Sequence, residues 1–186
     1  MAKVDSRYVD QAIDDALEIL KTCESCRQLF NSEDSNYAIR LLARLKHNKV
    51  FVISEKTPLR WVVSSDRKLK TIKTSNLKGA AGVVDLAAPR ARGEMIRPCI
   101  YLHPKKFIVT GEPAEYYALY GLKPAVQRAV AILHELGHVA GILQYDGDSS
   151  KEERNKSVAN TNCVRVNCIS RIVLRPCPGA PERGRK

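Results

Sequence analysis

The sequence predicts an α+β fold: a small mixed or antiparallel sheet packed on one central, largely apolar helix, with further helices toward the N-terminal and C-terminal sides. Three observations carry this. Apolar residues recur at helical spacing before residue 47, short β-branched and aromatic runs fill the middle of the chain, and a long apolar run over 124–143 returns to helix. Runs of helix, then strand, then helix argue for α+β rather than alternating βαβ units. With 186 residues and 44% hydrophobic content, the chain can bury one sizeable core. A single domain is expected over 1–174, followed by a mobile basic Pro/Gly-rich tail over 175–186.

Taken in order, residues 7–30 read as one amphipathic helix with Val9, Ile13, Ala16, Leu17 and Leu20 on a stripe. Residues 31–36 are polar loop. A second helix over 37–47 carries Ile39, Leu41, Leu42 and Leu45 and ends on Arg44, Lys46 and His47, which suits a helix C-terminus. Residues 49–54 and 59–64 read as a hairpin or two adjacent strands. Further strands are expected over 80–87 and 99–103, the latter stopped by Pro104, with 107–111 extending or pairing with it. Residues 112–122 read as loop with a helical turn. Pro124 starts the apolar helix, where its missing N–H costs nothing, and the next proline lies far beyond 143. Ser149 or Ser150 can cap a last helix reaching about Ile169, with Glu152 and Glu153 in its first turn.

The apolar helix carries the chemistry. His134-Glu135-Leu136-Gly137-His138 puts two imidazoles one turn apart on one face, where they can grip one metal ion. Glu135 is rotated by about 100°, beside such an ion rather than on it, as a general base for a metal-bound water should be. Polar residues in so apolar a helix are costly unless something satisfies them. Gly137 and Gly141, four apart, leave a flat strip that a strand, another helix or a substrate can approach.

The formal charge is +11, from 31 basic and 20 acidic residues. The basic residues are dispersed and aromatics are only 6%, which argues against stacking platforms for nucleic acid. A solvated basic face is the plain reading, with contact to an anionic polymer as the sharper one. No segment approaches the ~20 apolar residues that cross a bilayer, and residues 1–7 lack the apolar core of a signal peptide. Six cysteines, Cys23, Cys26, Cys99, Cys163, Cys168 and Cys177, admit disulfides, free buried thiols or a second, structural zinc site, in that order.

A catalytic zinc takes three protein ligands and keeps a position for water. With His134 and His138 as two, the third is sought among His, Asp and Glu. Asp146, followed by Gly147, is the first choice; Glu152 or Glu153, Asp148 and His103 follow. His47, at a helix end, is expected on the surface. A glycine at 141, just past the second histidine, lets the chain turn beneath the metal.

HELGH followed by Gly141 resembles the zincin class of metallopeptidases. The extended pattern HExxHxxGxxH/D places its third ligand at Gln144, a poor zinc ligand, so the chain departs from it there. Over about residues 99–170 the chain also resembles bacterial HExxH proteins, many of them exported, in which HELGHxxG precedes Asp-Gly and a Ser-x-x-Asn-Thr…Val-x-x-x-Cys helix, here Ser157, Asn160, Thr161, Val164 and Cys168. That resemblance favours Asp146 as ligand and implies a Cys168 pairing with Cys26 rather than Cys23. It implies a secreted or periplasmic protein if that pair is bonded, and a cytoplasmic one otherwise. A looser echo is the regulatory peptidase family that cleaves phage or stress repressors, through Glu153, Asn155, Ala159 and Asn160.

The expectation is therefore a zinc-dependent hydrolase acting on a peptide or protein, with Glu135 as base and ligands His134, His138 and Asp146. Tyr145, Tyr116, Tyr117 and His103 are candidate oxyanion donors, and the 99–103 strand is the expected edge for substrate. The alternatives are a zinc-holding regulatory or binding module without turnover, and a basic anion- or nucleic-acid-binding protein with a structural metal. Cleavage of peptidoglycan cross-links is a further reading within the hydrolase class. Oligomeric state is not legible.

Overall fold

The computed structural model describes residues 7–31, 33–53, 60–63, 69–72, 82–85, 99–102, 107, 122–144, 146 and 151–169, with backbone alone for 60–63, 69–72, 82–85, 99, 153 and 154. The expected elements over 108–111 and 112–121, the capping serines 149 and 150, and the tail over 175–186 lie outside the described residues.

In chain order the described elements are α1 (Arg7–Thr22), α2 (Glu24–Phe30), α3 (Tyr37–His47), β1 (Phe51–Ile53), β2 (Arg60–Val63), β3 (Leu69–Ile72), β4 (Gly82–Asp85), β5 (Cys99–Leu102), α4 (Pro124–Val139) and α5 (Lys151–Cys168). The fold is mixed α+β and mostly helical, and none of these helices is long and apolar enough to cross a membrane.

The first helix is broken where the sequence reads it as continuous. The chain is extended at Cys23 (φ −108°, ψ 103°) and α2 starts afresh. The break is held from both sides. The Arg27 guanidinium donates to the carbonyls of Leu20 and Lys21, two of the acceptors a helix C-terminus leaves open. Ser25 Oγ donates to the Asn167 carbonyl of α5 at 2.6 Å, and Cys26 Sγ lies 2.05 Å from Cys168 Sγ. Those ties are tertiary, which is why helical periodicity alone runs straight through the break.

Residues 49–54 and 59–64 do not pair with each other. β1 runs parallel to β5, with Phe51 opposite Ile100, and β2 runs antiparallel to β3, with Arg60 opposite Ile72. β3 lies in a basic stretch that reads as solvated surface from sequence. The three-stranded sheet has the order β1-β5-β4, and β4 is antiparallel to β5, so the sheet is mixed. Burial decides the pairing of β5. Ile100 and Leu102 point to one face of the sheet and are fully buried, an apolar face that an isolated 49–64 hairpin would not cover.

α4 is the centre of the molecule, packed by α1, α5 and β4. Every residue from Ala129 to Gly137 is buried. α1 lays Val9, Ala12, Ile13, Ala16 and Leu20 into the same core, and the Arg128 guanidinium of α4 stacks 5.1 Å over the Tyr8 ring. α3 adds Ala38, Leu41, Leu42 and Leu45. The start of α4 follows from its sequence: Lys123 is extended, as a residue before proline prefers, and Pro124 takes the first helical position.

Its end comes earlier than residue 143. Gly141 adopts φ +71°, its N–H bonds the His138 carbonyl at 3.1 Å, and the Ile142 N–H bonds the Gly137 carbonyl at 3.0 Å. This pair of bonds is a Schellman turn, which stops the helix at the residue best able to go left-handed. The chain then doubles back so closely that a Cβ built on Gly137 would lie 2.6 Å from Leu143 Cγ. The flat strip beside Gly137 is thus covered by the helix's own exit segment rather than by a strand or another helix.

Candidate metal centre

The Schellman turn brings Asp146 back beneath α4. His134 Nε2 and His138 Nε2 lie 3.0 Å apart, with rings edge-on at a centroid distance of 4.8 Å. The Asp146 carboxylate completes a triangle: Oδ2 is 3.2 Å from His134 Nε2, and Oδ1 is 3.2 Å from His138 Nε2. The three side chains are about one-tenth exposed, at 9%, 10% and 11%, so their polar atoms must satisfy one another or a bound ion.

α5 supplies the outer contacts. Thr161 Oγ1 lies 3.1 Å from His134 Nδ1. Asn160 Nδ2 donates both to the Gln144 carbonyl at 2.8 Å and to Asp146 Oδ2 at 2.9 Å. Asn160 and Thr161 are themselves buried. Burial opposes ionisation of Asp146, but hydrogen bonds from His134 and His138 outweigh it and hold the carboxyl well below the usual carboxylate range.

The donor set passes a simple geometric test for a metal. Nitrogen and oxygen ligands at about 2.0–2.1 Å in a tetrahedral arrangement lie about 3.3 Å from one another. Here the two Nε2 atoms are 3.0 Å apart, each is 3.2 Å from a different oxygen of the Asp146 carboxylate, and one ligand atom from each residue lies within 4.8 Å of the others. With their Nε2 atoms unprotonated, the two imidazoles and the carboxylate all present lone pairs to the same small space. A cation satisfies all three together. The His134, His138 and Asp146 group could hold a metal ion, and two nitrogens with one carboxylate oxygen leave room for water or substrate.

Glu135 is buried on α4, 4% exposed, beside the first histidine. Other candidates fall elsewhere. Glu152 is largely exposed and paired with Lys156 at 3.1 Å on the same helix, away from the cluster. His47 is exposed at the end of α3, as expected. His103, Tyr116, Tyr117, Tyr145 and Asp148, and the side chain of Glu153, lie outside the described residues. The 99–103 segment is not the sheet edge. β5 is hydrogen-bonded on both sides, so among the described strands of that sheet the edges are β1 and β4.

Sequence reading gave Asn160 and Thr161 no individual role. A signal was present: Thr161, Val164 and Cys168 fall at helical spacing on one buried stripe, and a polar residue in such a stripe needs a partner. No family model, no curated protein and no solved structure matches the chain.

Proposed function

We propose that this chain is a zinc-dependent hydrolase, and a peptidase by preference, with His134, His138 and Asp146 as ligands and Glu135 as general base. The observation that carries it is the convergence of three nearly dry donor groups at 3.0–3.2 Å, with a buried glutamate one residue along the same helix. Zinc held there would lower the pKa of a coordinated water to near 7 and polarise the scissile carbonyl. Glu135 accepts the proton of the attacking water and returns it to the amine that leaves. Burial of α4 keeps bulk water from competing for that proton. Asp146 would supply one negative charge against a divalent cation held there.

The same reading extends to the frame. A HELGH helix beside an antiparallel edge strand resembles the zincin arrangement, in which substrate adds as a further strand. Of the two edges, β4 is the one that packs on α4, so it replaces 99–103 as the substrate edge.

The test is Glu135→Gln, assayed for cleavage of a mixed peptide library beside a zinc determination. Turnover should fall by about 10²–10⁴-fold while zinc content is unchanged. Equal turnover in the variant would remove Glu135 from the mechanism. A zinc-loaded wild type that cleaves nothing would instead favour a binding module that holds metal without turnover.

A further inference from the structure

We infer that Asn160 and Thr161 are positioning residues, through which α5 sets the metal affinity of a centre whose ligands all lie on α4 and the segment that follows it. The inference rests on the metal-centre reading above and deepens it. To ligate through Nε2, His134 must carry its proton on Nδ1, and that N–H needs an acceptor. Thr161 Oγ1, at 3.1 Å, is placed to accept it. Its hydroxyl is compatible with the ligating tautomer, as acceptor of the Nδ1 proton, and the contact holds the ring plane.

Asn160 does the matching task for the other arm. One amide nitrogen spans the Gln144 carbonyl and Asp146 Oδ2, so it pins the returning segment and the carboxylate together. Consecutive helical residues point about 100° apart, which is how neighbours on one helix reach two different ligands. Both side chains are at most 4% exposed, so water does not readily substitute for either contact.

α5 is in turn held at its far end. Cys168 is joined to Cys26 of α2, and the Asn167 carbonyl accepts from Ser25. The outer contacts of the centre are thereby referred to the α1–α2 side of the core rather than to α4 itself.

The experiment compares zinc affinity, by competition with a chromogenic chelator, in wild type, Thr161→Val, Thr161→Ser and Asn160→Gln. Visible spectra of the cobalt-substituted proteins and melting curves of the metal-free forms accompany it. Thr161→Val keeps the shape and removes the acceptor, so affinity should fall about 10–100-fold with an altered cobalt spectrum. Thr161→Ser keeps the hydroxyl and should stay within a few-fold of wild type. Asn160→Gln keeps the amide but shifts it by one methylene, and should also weaken binding. Wild-type affinity in Thr161→Val, or equal losses in the valine and serine variants, would overturn the role of the hydroxyl. If the valine variant fails to fold, the serine and glutamine variants decide: a serine loss as large as that of glutamine overturns the inference. A wild type that takes up no zinc, with His138→Ala indistinguishable from it, would sink the metal-centre reading itself and this inference with it.

Discussion

Asp146 shows how one side chain can be both easy to nominate and impossible to place from sequence. It is a carboxylate downstream of HELGH at a spacing the extended zincin pattern does not use, yet its two oxygens meet the two histidines at equal distance. Asp146→Ala should therefore remove most bound zinc from the purified protein while leaving the helices intact, read by metal analysis and circular dichroism. Full occupancy in that variant would return the search to Glu153, Asp148 or His103. The two glycines beside the site separate by mechanism. An alanine at Gly137 gains about 1 kcal/mol of helix propensity but meets Leu143 Cγ and Cδ1 at 2.6 Å, and overpacking of that kind costs about 1–3 kcal/mol. The clash falls on the side chain of Leu143, three residues before Asp146. Gly137→Ala should therefore lower both stability and zinc affinity. Gly141→Ala meets no atom within 4 Å and pays only for its left-handed backbone, about 1–2 kcal/mol, measurable by urea denaturation.

At the scale of elements, the break between α1 and α2 positions Cys26 and Ser25 to meet the end of α5. A continuous helix over 7–30 would carry those residues past it. The Cys26–Cys168 link spans a sequence separation of 142 residues, and closing a loop of that order removes roughly 5 kcal/mol of unfolded-state entropy by the chain model. The double variant Cys26→Ser, Cys168→Ser should lose a large part of that, seen as a lowered denaturation midpoint. Non-reducing peptide mapping should recover the two cysteines in one linked fragment. An unchanged midpoint would mean that packing of α2 on α5 suffices without the bond. Cys23, the described free cysteine, stays near the Asn167 carbonyl at 3.4 Å and is not the partner.

Over the whole molecule, the bonded pair bears on where the protein works, since such links persist in oxidising compartments and are rare in reducing cytosol. The charge of +11 suits approach to anionic surfaces without choosing among them. Much of this was legible. Helical periodicity marked α1 and α3, a long apolar run after Pro124 marked α4, a serine cap with first-turn glutamates marked α5, and β-branched runs marked β1, β2, β4 and β5, because these are local signals. Partners were not legible. Nothing local distinguishes β1 paired with β2 from β1 paired with β5, and β3 hid in a basic stretch because strand formation there depends on β2 lying opposite.

The sequence by itself determined the chemistry available: two imidazoles one turn apart, a glutamate between them, and a carboxylate past a glycine that lets the chain turn. These follow from spacing and backbone freedom, which are properties of a few consecutive residues. Only the tertiary structure decided that Asp146 rather than Glu152 reaches the histidines, that β4 rather than β5 forms the edge against α4, and that Asn160 and Thr161 brace the centre from another helix. Each of those is a contact between residues distant in the chain, chosen by how the buried faces of α1, α4, α5 and the sheet close on one another.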